Sequence, residues 1–126
     1  MSFTLELEGY EYKPGDVVRG TIYVREGKRS RGLEAILSMR EESDDYKTVG
    51  FSASTGKISE GDLQQGAVHE FALQIPPDAY PSVDVGVGRL TWRVVAKSDE
   101  LGPDTTAEQP ILVMTPGSAA PARGSR

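Results

Sequence analysis

The chain contains no cysteine and a single histidine. It can hold neither a disulfide framework nor a thiolate metal site, and any serine-histidine-aspartate arrangement would have to be built on His69. The absence of cysteine also suits a reducing compartment. Long apolar runs are missing, since none approaches the roughly 20 residues a membrane-spanning helix needs. Helix-length apolar periodicity is missing as well. Basic charge is scarce: 14 Lys and Arg stand against 19 Asp and Glu, a formal net charge of -5. Nucleic-acid binding wants a basic face and is disfavoured. The same balance slows approach to an anionic membrane and leaves peripheral contact at most. No basic segment followed by an apolar core opens the chain, because Met1-Ser2-Phe3-Thr4-Leu5-Glu6-Leu7-Glu8 already alternates. The expected location is the cytoplasm.

What the sequence does have is one domain's worth of alternation. At 126 residues it can bury roughly two thirds of its unfolded surface, enough for an unstapled core. Phe3, Leu5 and Leu7 alternate with Thr4, Glu6 and Glu8, the period of a half-buried strand. Pro14-Gly15-Asp16 follows as a turn, proline presetting φ and glycine supplying a positive one. Val18, Ile22 and Val24 then share one face with Gly20, and a strand glycine marks a bulge or a close approach. Arg19, Thr21, Tyr23 and Arg25 share the other face.

Residues 26–32 read as a polar loop carrying Lys28, Arg29 and Arg31. Leu33, Ala35, Leu37 and Met39 resume the period of two, with Ile36 apolar on the opposite face. An acidic turn over 41–45 leads to a strand over 46–54. Residues 55–66 read as a long loop with a short edge strand near Ile58, and 68–75 as a strand stopped by Pro76-Pro77. Leu90, Trp92, Val94 and Ala96 alternate with Arg89, Thr91, Arg93 and Lys97 in the clearest strand. Residues 99–109 read as a polar loop before a last short strand over 110–114. This pattern predicts an all-β antiparallel two-sheet sandwich, immunoglobulin-like in kind, of roughly seven or eight strands over residues 1–114. Its core should contain Leu5, Leu7, Val18, Ile22, Leu37, Phe71, Leu73, Trp92 and Val94. From Thr115 to Arg126 no large apolar residue occurs, and a flexible tail or the stub of a linker is expected.

Two stretches resemble the N-terminal half of the arrestin fold. Tyr12, Pro14, Gly15, Asp16, Val18 and Gly20 fill its first turn and strand. Gly66, Phe71, Leu73, Ile75, Pro76, Pro81, Ser82, Trp92, Val94 and Ala96 fill its later pattern, with His69 one residue displaced. The resemblance spans residues 3–114. It implies a scaffold that binds other proteins, as do receptor-binding arrestins, arrestin-domain trafficking adaptors, the retromer cargo-adaptor subunit and the bacterial sporulation-control family. Most of these carry two sandwiches, and one fits here. The lysine pair with which receptor-binding arrestins sense phosphate does not carry over, since the first strand bears Glu6 and Glu8.

The expected function is therefore a non-enzymatic protein-interaction module for a protein partner, with no catalytic residue, no cofactor and no metal. Tyr23, on an outward strand face, is the best interface aromatic. Lys28, Arg29 and Arg31 form the densest basic cluster and are the candidates for a phosphate or a charged partner. Two alternatives stand beside this reading. One is a sandwich that binds sugar or calcium, the latter through acids of residues 41–45 and 99–108. The other is one half of a two-domain arrestin-like scaffold.

Overall fold

In a computed structural model, residues 1–43, 47–84 and 88–115 are described. They form strands β1 (Ser2–Leu7), β2 (Glu11–Tyr12), β3 (Val17–Glu26), β4 (Lys28–Ser43), β5 (Lys47–Ser54), β6 (Ser59–Leu63), β7 (Val68–Gln74), β8 (Val83–Asp84), β9 (Gly88–Asp99) and β10 (Thr105–Val113). No helix occurs among the described residues. Two strands, β2 and β8, are two residues each, which leaves eight longer ones. One sheet has the order β1-β3-β7. The other runs β2-β10-β9-β4-β5, with β6 also on β4 and β8 also on β9. All pairings are antiparallel except β2 with β10. The expected two-sheet antiparallel sandwich is what the chain forms. The tip of the acidic turn and the tail from residue 116 lie outside the described residues.

The period of two builds the seam. Val18, Ile22 and Val24 of β3, Leu33, Ala35 and Leu37 of β4, Phe71 and Leu73 of β7, and Trp92, Val94 and Ala96 of β9 are all buried between the sheets. Gly20 belongs to the same inward set. A Cβ there would stand 2.5 Å from Phe71 Cζ and 2.8 Å from Leu7 Cδ2, so the position is a close approach. The Pro-Gly turn closes with Asp16 N–H donating to the Lys13 carbonyl at 3.0 Å. Gly15 takes a φ of 91° and donates to the Ile75 carbonyl at 3.1 Å. The turn thus fixes where β3 enters the sheet beside β7.

Four expectations change. The loop expected over 26–32 is reduced to Gly27, because β4 begins at Lys28 and pairs with β6 through the backbone. The chain passes there from the small sheet to the large one, and a side chain on Gly27 would collide with the Leu63 carbonyl. Polar side chains do not prevent a strand whose ladder is made by main chain. The loop expected over 99–109 ends early for the same reason, with β10 starting at Thr105 and pairing along β9. Leu5 and Leu7 are half-buried rather than core, while Phe3 is buried, because β1 is an edge strand. A short strand was expected near Ile58; β6 runs from Ser59 to Leu63 and covers the first half of β4.

Candidate functional site

The basic cluster sits on the opening of β4. The β4–β6 register slips between Ser30 and Leu33, where β4 holds an extra residue. That bulge reverses the inward parity, so Ser30 and Leu33 are both buried. Lys28, two residues before Ser30, reaches Glu100 Oε1 at 3.5 Å. Arg29 faces Asp62 at 3.6 Å, and Arg31 donates to Asp99 Oδ1 and to the Glu100 carbonyl, both at 2.9 Å. Each of the three cations therefore has an acidic partner within the fold.

Glu100 is the unusual member of this group. Its residue is 1% exposed, beside buried Ser30 and Ser98, whose hydroxyl oxygens lie 2.7 Å apart. Burial pushes its carboxyl up. The neighbouring Ser98, Thr105 and Lys28 favour the ionised form and outweigh burial, so its pKa lies below the ordinary value, while its Oε2 has no hydrogen-bond partner among the described residues. The sequence offers this residue only among the acids of 99–108 as calcium candidates, and its burial is not legible there, because an acid in an expected polar loop reads as solvated.

Tyr23 lies in the outward row Thr4–Tyr23–Val68 of the small sheet and is half-buried. The Arg25 guanidinium stands 5.4 Å from its ring centroid and donates to Thr4 Oγ1 at 2.9 Å. This face does not join the basic cluster of β4, whose ion pairs reach β6 and the chain following β9. His69 is opposite Ile22, with Nε2 buried and without a hydrogen-bond partner among the described residues. No triad forms on it there. Among the described residues no three His, Asp or Glu side chains group as metal ligands.

At the other end of the seam the sheets part. A cleft of about 300 Å³ opens between Met39, Phe51 and Trp92 on the large sheet and Pro76 and Ala79 in the segment after β7. The Trp92 indole, 1% exposed, donates to the Tyr80 carbonyl at 2.8 Å and so ties that segment down. Its ring lies 5.8 Å from that of Phe51 at 47°. Tyr80 itself is 68% exposed. Tyr12, by contrast, is buried with its hydroxyl donating to the Gly9 carbonyl at 3.0 Å.

The chain is an all-β sandwich with open sheet edges and, among its described residues, a cleft at one end of its seam. No protein-family model matches the sequence, and no curated protein sequence matches it. Among solved structures the chain is similar to Spo0M, the sporulation control protein of Bacillus subtilis. The TM-score is 0.63 and the identity 24%, over 90% of this chain and 49% of that one. The chain spans about half the length of that neighbour, and the likeness establishes an arrestin-like fold. The b-glucosidase EmGH1 of Erythrobacter marinus aligns at a TM-score of 0.31 and 14% identity, over 90% of this chain and 15% of that one, and supports no inference.

Proposed function

We propose that this chain is a non-enzymatic interaction module that takes a protein partner at the uncovered side of its small sheet. The observation that carries the reading is β7. It is an edge strand of seven residues, Val68–Gln74, without proline, lysine or a register slip. Such an edge is a ready template for an added strand. Ladder alternation puts every second residue's N–H and C=O on the open side, and Val24 N–H bonding to the Ala67 carbonyl assigns that side to Val68, Glu70, Ala72 and Gln74. Tyr23 lies directly beside Val68 and supplies an aromatic contact. The cytoplasm is the compartment this reading assumes. Spo0M being a sporulation control protein agrees with a regulatory scaffold.

The test is a crosslinking pull-down from expressing cells with wild type, Ala72→Pro and Tyr23→Ala. The expected result is a partner captured by wild type and lost or weakened in both variants. Recovery of the same proteins by all three removes the reading. A second reading, one half of a two-sandwich scaffold, is favoured by the match to 49% of the Spo0M chain. The coding frame beyond Arg126 tests it, and a stop codon there ends it.

A further inference from the structure

The cleft beneath Trp92 is apolar inside and acidic at its mouth. Met39, Phe51, Pro76, Ala79 and Trp92 supply the walls. Gly50 stands at the entrance on β5. A Cβ built there would come 2.5 Å from Met39 Cε and 3.4 Å from Glu41 Oε2, which places the Glu41 carboxylate on the cleft side of β4. Asp78 lines the opposite lip. Neither Glu41 nor Asp78 makes an ion pair with a described residue. The basic residues of this region do not answer them: Arg40, Lys47 and Arg89 all gather around Glu42, which lies on the opposite face of the sheet. Exposed Tyr80 completes the rim. An apolar slot flanked by two unpaired carboxylates and a tyrosine is complementary to one kind of occupant.

We infer that this cleft binds a peptide segment of a partner protein, with one large apolar side chain in the slot and lysine or arginine beside it. The inference rests on the interaction-module reading but uses a different surface from β7. The slot has room for a leucine- or phenylalanine-sized group, and water displaced from apolar walls supplies the gain. The two carboxylates supply orientation and selectivity against acidic segments.

The experiment pans a random dodecapeptide display library on the whole chain. Emission of Trp92, the single tryptophan, then follows titration of the synthesised winner. The expected consensus pairs a large apolar residue with Lys or Arg, and Trp92 emission changes saturably. Gly50→Leu, which fills the entrance by displacing a flexible methionine end, should weaken binding at least about tenfold. Asp78→Asn with Glu41→Gln should weaken it about three- to fivefold at low salt. An unchanged melting profile shows that each variant is folded. No enrichment, an acidic consensus, or equal affinity for Gly50→Leu and wild type overturns the proposal. Self-association of wild type that Gly50→Leu abolishes would assign the slot to a second copy and also overturn it. If the pull-down still finds a partner sensitive to Ala72→Pro, the interaction reading stands and the cleft proposal alone falls.

Discussion

Gly20 has its neighbours closed over it, with Phe71 and Leu7 carbons less than 3 Å from where a Cβ would be. Both side chains pack into the seam, so a methyl group can enter only by moving them. Gly20→Ala should therefore cost about 1–3 kcal/mol, read as a lower urea midpoint at unchanged slope. An unchanged midpoint would mean that the seam has slack there. Glu100 makes the opposite kind of case, a buried polar group held by its surroundings. Burial raises its carboxyl pKa, while Ser98, Thr105 and Lys28 lower it by more, leaving the folded value below the ordinary 4.5. In the window between those values the unfolded chain binds more protons than the native one. The contribution of Glu100 is thus fully present above pH 4.5 and is lost as pH falls through the folded value. Glu100→Gln should cost about 1–3 kcal/mol at neutral pH and flatten the acid limb of the stability profile. Parallel acid limbs in urea melts below that pH would show that other carboxylates set it.

At the scale of elements, legibility followed burial. β3 and β9 were readable because both alternate large apolar with polar residues across a seam, and β9 is flanked on both sides by neighbours. The opening of β4 was not, because Lys28, Arg29 and Arg31 look solvated and their strand is made by main-chain pairing to β6. The first part of β10 hid similarly: its inward residues Thr105, Ala107 and Gln109 are too small or polar to mark a face, unlike Ile111 and Val113 beyond them. Pro110 within β10 also argued for a boundary. Leu112 N–H bonds to the Tyr10 carbonyl on the side away from β9. Pro110 shares that parity, so its missing N–H falls on an open edge. Of the candidate site, Tyr23 and the cations were legible as residue types. Their counter-ions were not, since Asp62 and Asp99 come from distant sequence. The same edge logic separates two proline substitutions. Ala72→Pro removes an N–H from the open side of β7 and should cost about 1 kcal/mol or less. Thr21→Pro breaks the central ladder of the small sheet, between Glu6 and Glu70, and should cost at least about 2 kcal/mol. Equal urea midpoints for the two would refute the assignment of β7 as an open edge.

At the scale of the molecule, the order in which the chain visits its sheets matters most. β1 lies in the small sheet, β2 in the large, β3 in the small, β4 to β6 in the large, β7 in the small, and β8 to β10 in the large. Each sheet thus draws strands from both halves of the chain. Trp92 sits where this matters: its strand is flanked by β4 and β10, and its indole holds the segment after β7. A chain cut at Gly102 would lose Ile111 and Val113 from the core and bare one side of β9. It should show no near-ultraviolet signal from Trp92 and a far-ultraviolet spectrum without strand. The whole chain should unfold in one transition, with Trp92 emission and far-ultraviolet dichroism tracing the same urea curve. If emission moves first, the end of the seam around Trp92 opens on its own, and the two sheets do not hold or fail together. Refolding should be slow, in milliseconds to seconds, because the β3–β7, β4–β9 and β2–β10 pairings each close a long stretch of chain before they form.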